Sequence, residues 1–453
     1  MSASESCSQG RPTAVVLTLG CKVNQFESSA LAENLIAAGY ELVVEPVGAD
    51  LVVLNTCTVT EKADQEALAL IRRLKRLAPA VKIVVTGCLA QVNPALLAET
   101  GLVELVLRQD EKKDLIRHLG VLEIPDGRKL VRVTSPGGWA AGFSAPASER
   151  TRVFYKIQDG CSAFCTYCVV PLSRGAPRSL DLDQVLEGLR SYLVRGLAEV
   201  VICGIHLGQW GRDLNPPLSL AELLHTIEAE ITPYEETFRL RLSSIEPLEM
   251  RDDLLAAYEM YSWLAPHFHL PLQSGSDRIL ESMGRPYRAA QFRELVTRIK
   301  LAWPLAAVGV DVLAGFPGET EADFRATVEL LAALPLSYFH IFPYSRRPGT
   351  LAAAFSSQVP EHLKRDRVLE LRQLNQAKRR IFAELNVGAR HLALVENTPH
   401  PPSGRLKLLT GNYLVALLSE TLRLSPGTLV PVTLAAAQNP WGLLEASPAT
   451  LLK

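Results

Sequence analysis

Twice along this chain, short runs of β-branched and other apolar residues alternate with longer amphipathic stretches, a pattern that restricts the fold to parallel sheets wrapped by helices. In the first third the runs are AVVLTL at 14–19, DLVVLN at 50–55 and KIVVTG at 82–87, followed by helical segments such as EKADQEALALIRRLKRLA. A second series opens at Arg152 with candidate strands RVFYKIQ, AEVVIC, FRLRLSS, HFHLPL, AVGVDVLAG and YFHIFPY. These strand-helix units predict a partial or complete (βα) barrel whose working face lies at the strand C-termini. Residues 120–150, with PDG, SPGG and SAPASER, are expected to be a loose connection. Beyond the charged helix around EHLKRDRVLELRQLNQAKRRIFAELN the texture changes to RHLALVEN, GRLKLLTG, YLVALL and LVPVTLAAA, short strands that predict a small β-barrel. The expected class is α/β, with a parallel-sheet domain at 12–125, a barrel at 148–380 and the small β-barrel at 387–453.

A length of 453 residues exceeds one core of usual size. Lys and Arg total 47 against 48 Asp and Glu, so net charge gives no global case for a polyanionic partner, and any nucleic-acid contact needs local patches. The opening MSASESCSQGRP has no apolar core of signal-peptide type, and no run long enough to span a bilayer appears; a cytoplasmic location and no membrane partner are expected. In that reducing setting the eight cysteines are expected to bind metal, do chemistry or fill the core before they pair.

Gly160-Cys161-Ser162-Ala163-Phe164-Cys165-Thr166-Tyr167-Cys168 follows the first strand of the second series. Three thiolates on one short loop can hold three irons of a four-iron cluster and leave the fourth iron open to a cofactor. A zinc site is the alternative, with Cys203 or His206 as the further ligand it would need. Cys21, Cys57 and Cys88 form no local motif, being 36 and 31 residues apart, yet each stands just beyond a strand: LTLG-Cys21, LVVLNT-Cys57 and IVVTG-Cys88. In a parallel sheet those ends share one edge, so three thiols can converge there on a second cluster, again one ligand short. Independent core packing is the plainer reading for any one of them. Cys7 lies in the polar leader, and Cys203 ends an apolar strand.

These residues resemble a known family. The C-x3-C-x2-C loop with an aromatic before its last cysteine is similar to the radical S-adenosylmethionine superfamily. Together with LGCKVNQFES, NTCTVT, VTGCLAQ, VVPLSRG, RLSSIEP, HLPLQSGSDRILESMGR, VDVLAGFPGET and FPYSRRPGT it resembles the methylthiotransferases over nearly the whole chain. The terminal barrel resembles the TRAM domain, an RNA-binding module. GCKVNQ is similar to the branch acting on N6-threonylcarbamoyladenosine in tRNA; other branches act on isopentenyladenosine or on a ribosomal-protein aspartate. The segment LVLRQDEKKD at 105–114 is expected to be a loop without the glycine common there.

The resemblance implies two [4Fe-4S] clusters, S-adenosyl-L-methionine, a tRNA substrate, a flavodoxin- or ferredoxin-like electron donor and a sulfur source. It implies radical abstraction of hydrogen from C2 of adenosine, sulfur delivery from the second cluster, and a methyl group from a second S-adenosylmethionine. Tyr167, Gly204 and Gly315 are candidates for cofactor approach; Arg241, Ser243, Glu246, Gln273 and Ser274 are candidate polar groups at the barrel mouth, with capping or solvation as their plainer reading. His267 and His269 read as core residues. For RNA the candidates are Arg174, Arg178, Arg347, Arg390, Arg405 and Lys407, cations that attract phosphate without sequence preference. A noncatalytic RNA-binding iron–sulfur protein is the rival from another class; two open irons argue against it.

Overall fold

The computed structural model describes residues 11–121, 130–131, 151–418, 424–436 and 443–448. The chain folds as two compact units, one of residues 1–147 with 169–175, the other of residues 148–168 with 176–453.

The first unit is built on a six-stranded parallel sheet in the order β2-β1-β3-β4-β5-β6. Its elements are β1 (Thr13–Thr18), α1 (Lys22–Ala37), β2 (Glu41–Leu42), β3 (Leu51–Thr56), α2 (Glu61–Leu77), β4 (Lys82–Gly87), α3 (Cys88–Val92), α4 (Pro94–Glu99), β5 (Leu105–Val106), α5 (Leu115–Val121) and β6 (Leu130–Val131). The short helix α6 (Val170–Arg174) also belongs to this unit. β3 reads LVVLNT and is buried along its whole length, as a strand covered on both faces must be. α2 shows why the flanking helices form. Thr60 accepts the Ala63 N–H at its start, Glu61 and Asp64 stand in its first turn, Lys75 and Arg76 in its last, and Ala67, Ile71 and Leu74 make its buried stripe. Most of the connection expected at 120–150 lies outside the described residues, but Leu130 and Val131 pair parallel to β5 and extend the sheet.

The second unit begins with β7 (Arg152–Lys156) and the small antiparallel pair β8 (Gln158–Asp159) and β9 (Arg178–Ser179). It continues through α7 (Leu182–Val194), β10 (Glu199–Cys203), α8 (Leu220–Ile231), β11 (Arg239–Leu242), α9 (Asp252–Met260), β12 (His267–Gln273), α10 (Asp277–Ser282), α11 (Ala289–Ala302), β13 (Ala307–Ala314), α12 (Glu321–Ala333), β14 (Tyr338–Pro343) and α13 (Glu361–Leu385). The six expected strands form two three-stranded parallel sheets, β11-β10-β7 and β12-β13-β14. Capping boxes start α8, from Ser219 and Glu222, and α12, from Thr320 and Asp323. The chain ends in a closed five-stranded barrel of β15 (Arg390–Val395), β16 (Lys407–Thr410), β17 (Val415–Leu418), β18 (Leu429–Ala435) and β19 (Leu444–Pro448). Its core is Ala393, Val395, Leu408, Ala416, Leu418, Val432, Leu434, Leu444 and Ala446. Within the second unit this barrel is tied to the parallel strands by buried charge: Arg239 and Arg241 share Glu199 and donate to the carbonyls of Leu392, Leu409, Thr410 and Gly411.

Candidate cluster sites

In the first unit, register brings the three strand ends to one edge. Thr18 pairs with Asn55, Asn55 with Thr86 and Thr56 with Gly87, so Cys21, Cys57 and Cys88 leave the sheet side by side. Asn24 fixes two of the exits by donating its amide to the carbonyls of Leu19 (2.8 Å) and Thr56 (3.0 Å). Gly20, at φ +110°, is required there, because a Cβ would stand 2.7 Å from Cys57 Cβ. Cys21 is exposed, Cys57 half-buried and Cys88 buried. Burial pushes the Cys57 thiol up to about 12, and charge on Cys88 and Cys21 adds to the rise, so the three sulfurs feel one another. N–H donors point at sulfur: Val59 N at 3.5 Å from Cys57 Sγ and Gln109 Nε2 at 3.4 Å from Cys88 Sγ.

Beneath this edge lies a buried ion cluster that the sequence did not disclose. Glu27 receives Lys112 Nζ at 2.5 Å and Arg174 Nη1 at 2.6 Å, and Arg174 also reaches Asn24 Oδ1 at 2.5 Å. Arg174, expected to meet RNA, is therefore buried in the first unit as a counter-ion to Glu27. The 105–114 segment, expected as a loop, supplies both Gln109 and Lys112.

In the second unit the loop of Cys161, Cys165 and Cys168 follows β8. It is anchored by Thr166, whose N–H donates to the Met283 carbonyl (2.9 Å) and whose hydroxyl donates to the Ser282 carbonyl (2.8 Å). Tyr167 packs edge-on against Phe316. Ala163 N–H points at Cys161 Sγ (3.4 Å), and Arg285 Nη1 lies 3.3 Å from Cys165 Sγ while its other nitrogen binds Glu246. His206 Nδ1 stands 3.3 Å from Cys161 Sγ and its Nε2 2.9 Å from Glu249. Burial disfavours the charged ring, but the bonds to Cys161 and Glu249 outweigh it and raise the imidazole to about 9.

The other candidate residues divide. Ser243, just past β11, is buried and its hydroxyl has no hydrogen-bond partner, as a group kept for a ligand would be. Gln273 ends β12 at φ +68°, beside a register shift between Pro271 and Gln273. Ser274 is fully buried, 3.2 Å from the Thr327 hydroxyl. A Cβ on Gly204 would meet Gln158, and one on Gly315 would meet Lys364 at 2.4 Å, so both glycines are explained by protein neighbours. Arg241 faces Glu199 and the terminal barrel. Among the RNA candidates Arg390 is exposed; Lys407 lies 3.7 Å from Glu396, Arg178 lies 3.6 Å from Asp159, Arg405 is paired with Glu445, and Arg347 is buried.

Both thiol sets fit an iron–sulfur cluster by donor chemistry: three soft ligands each, with N–H groups aimed at sulfur to stabilise thiolate charge. Cys203 is buried in β10 and Cys7 lies outside the described residues; no disulfide occurs among the described residues.

Residues 13–107 match the model of Uncharacterized protein family UPF0004, and residues 155–331 match that of the Radical SAM superfamily. The threonylcarbamoyladenosine tRNA methylthiotransferase MtaB of Aquifex aeolicus is 40% identical over 88% of this chain and 94% of its own length. Its counterpart from Thermotoga maritima is 38% identical over 80% and 81%. The tRNA-2-methylthio-N(6)-dimethylallyladenosine synthase of Jannaschia sp. is 34% identical over 85% and 84%. Among solved structures, the radical S-adenosylmethionine methyltransferase TsrM from Kitasatospora setae, with cobalamin and a [4Fe-4S] cluster bound, superposes with TM-score 0.56 at 18% identity. The match covers 76% of this chain and 77% of that one, and it is a likeness of fold.

Proposed function

The chain belongs to the radical S-adenosylmethionine methylthiotransferase family, and from that premise we propose that it converts the C2–H of N6-threonylcarbamoyladenosine, next to the tRNA anticodon, to C2–SCH3. The observation that carries the choice of substrate is the relatedness itself: 40% identity over nearly all of the Aquifex threonylcarbamoyladenosine enzyme, against 34% to the Jannaschia dimethylallyladenosine enzyme. The GCKVNQ segment supports the same branch, and within it Asn24 joins the strand ends that carry Cys21 and Cys57.

Cys161, Cys165 and Cys168 would hold one four-iron cluster, and Cys21, Cys57 and Cys88 the other. When bound, the first cluster and S-adenosylmethionine supply a 5'-deoxyadenosyl radical, and the second cluster supplies sulfur. The chain's own residues set the conditions. Arg285 and the Ala163 N–H place positive charge against Cys165 and Cys161, while Gln109 and the Val59 N–H do so for Cys88 and Cys57. Ser243 and Gln273, at strand C-termini, are the polar groups proposed to orient S-adenosylmethionine, and Tyr167 seats the cluster loop against Phe316. The terminal barrel, of TRAM type, presents Arg390 and Lys407 for backbone contact with tRNA. A flavodoxin- or ferredoxin-like donor supplies electrons, and an external source restores the sulfur.

Mass spectrometry of nucleosides from tRNA of a deletion strain tests the substrate. Loss of 2-methylthio-N6-threonylcarbamoyladenosine, with the isopentenyl counterpart intact, is expected. Loss of the isopentenyl product alone moves the protein to the neighbouring branch.

A further inference from the structure

Strands β12, β13 and β14 carry three side chains that the proposed reaction leaves unused: His269, Asp311 and His340. Register sets Asp311 beside Pro271 on one side and His340 on the other, so the three share one face of the sheet. His269 Nε2 lies 3.4 Å from Asp311 Oδ1, and His340 Nδ1 lies 3.3 Å from the same oxygen. All three candidate ligand atoms fall within 4.8 Å of one another.

Hydrogen bonding accounts poorly for this arrangement. Charge-assisted N–H···O⁻ bonds run at about 2.7–2.9 Å. Both contacts are roughly half an ångström longer than that range. His269 Nε2 is buried and, despite its nearness to Asp311, makes no hydrogen bond. An unpartnered ring nitrogen aimed at a carboxylate is costly unless something lies between them. A tetrahedral cation with bonds of about 2.0–2.1 Å to nitrogen and oxygen requires ligand–ligand edges of about 3.3–3.4 Å, which is the spacing from the Asp311 oxygen to each of the two ring nitrogens.

The surroundings fit as well. His269 Nδ1 stands 2.6 Å from the Ser244 hydroxyl. An outer hydrogen bond of this kind fixes the tautomer of a metal-binding histidine: with Nδ1–H donated to serine, the lone pair of Nε2 faces Asp311. Both ring nitrogens approach the same Asp311 oxygen, as they would around one shared ion. His340 is 47% exposed, which leaves an approach from solvent for a fourth ligand.

We propose that His269, Asp311 and His340 bind one divalent transition-metal ion of zinc type, through two nitrogens and one oxygen, with the fourth position taken by water or a substrate oxygen. The site is separate in ligand chemistry from both thiol sets, because borderline cations accept imidazole and carboxylate whereas the iron–sulfur clusters take thiolate.

The test uses the full chain with both clusters reconstituted anaerobically, incubated with zinc alone and desalted. Zinc and iron are then counted by mass spectrometry, and the zinc absorption edge is recorded. About one zinc per chain is expected, with nitrogen and oxygen neighbours near 2.0 Å and no sulfur near 2.3 Å. D311N and H340Q should each lower retained zinc about tenfold or more while iron content and circular dichroism match the unaltered protein. H340Q, at a half-exposed position, keeps the comparison valid if D311N is poorly folded. Absence of zinc from the unaltered protein, equal retention by H340Q, or a sulfur shell around the zinc overturns the proposal.

Discussion

Glu27 is a single carboxylate answering two buried cations, Lys112 and Arg174, and the three together underlie the edge that carries the first thiol set. Charges removed from water are tolerated only as a balanced group, and breaking the group by deleting one partner costs about 3–5 kcal/mol. Glu27→Gln is therefore expected to lower the unfolding free energy of the chain by about that amount in denaturant titration, whereas Glu66→Gln, which loses only an exposed pair with Lys62, should change it by less than about 1 kcal/mol. Equal effects would show that the buried cluster does not hold this edge. The sequence disclosed the cysteines but not this arrangement, for a physical reason. A thiol just past a strand end has few roles, so three in one slot are informative. An arginine has many, and the partner of Arg174 lies 147 residues away. Gln109 carried no signal at all, since an amide next to a charged loop looks like surface until Cys88 is beside it.

Strands were legible wherever β-branched residues ran together: KIVVTG was expected at 82–87 and β4 spans Lys82–Gly87. What period-two alternation gives is the sharing of a face, and it does put Arg239 and Arg241 together, but it leaves open what that face meets. The answer comes from Thr410 and Gly411, about 170 residues later, so Arg241 anchors the terminal barrel where the strand-end argument had placed it at the cofactor mouth. This anchor has a pH signature. Burial alone would raise Glu199, but Arg239 and Arg241 outweigh it and hold the carboxyl at about 2, below its ordinary 4.5. A depressed carboxylate stabilises fully above its unfolded pKa and loses that contribution as pH falls through the folded value, so stability should decline as pH drops from about 4.5 toward 2. The contribution is on the order of 3 kcal/mol at neutral pH. Glu199→Gln should lose it at neutral pH and show a shallower acid decline by thermal or denaturant unfolding; an unchanged acid slope would contradict the assignment.

Over the whole molecule, among the described residues, no helix is long and apolar enough to cross a membrane. Six of the seven described cysteines fall into two sets of three, one at the edge of the parallel sheet and one on the loop after β8, while Cys203 is packed in β10. This division was visible in the sequence because it depends on strand ends and loop spacing, both local properties. The His269–Asp311–His340 group was not, because its members come from three strands whose adjacency only the folded sheet establishes. The central claim is that each thiol set holds its own four-iron cluster with one iron free of protein ligand, and iron content by set tests it most directly. Anaerobically reconstituted protein should carry about eight irons per chain, and replacing either Cys161, Cys165 and Cys168 or Cys21, Cys57 and Cys88 by Ala should leave about four. About four irons in the unaltered protein, or loss of all iron on removing only one set, would contradict it.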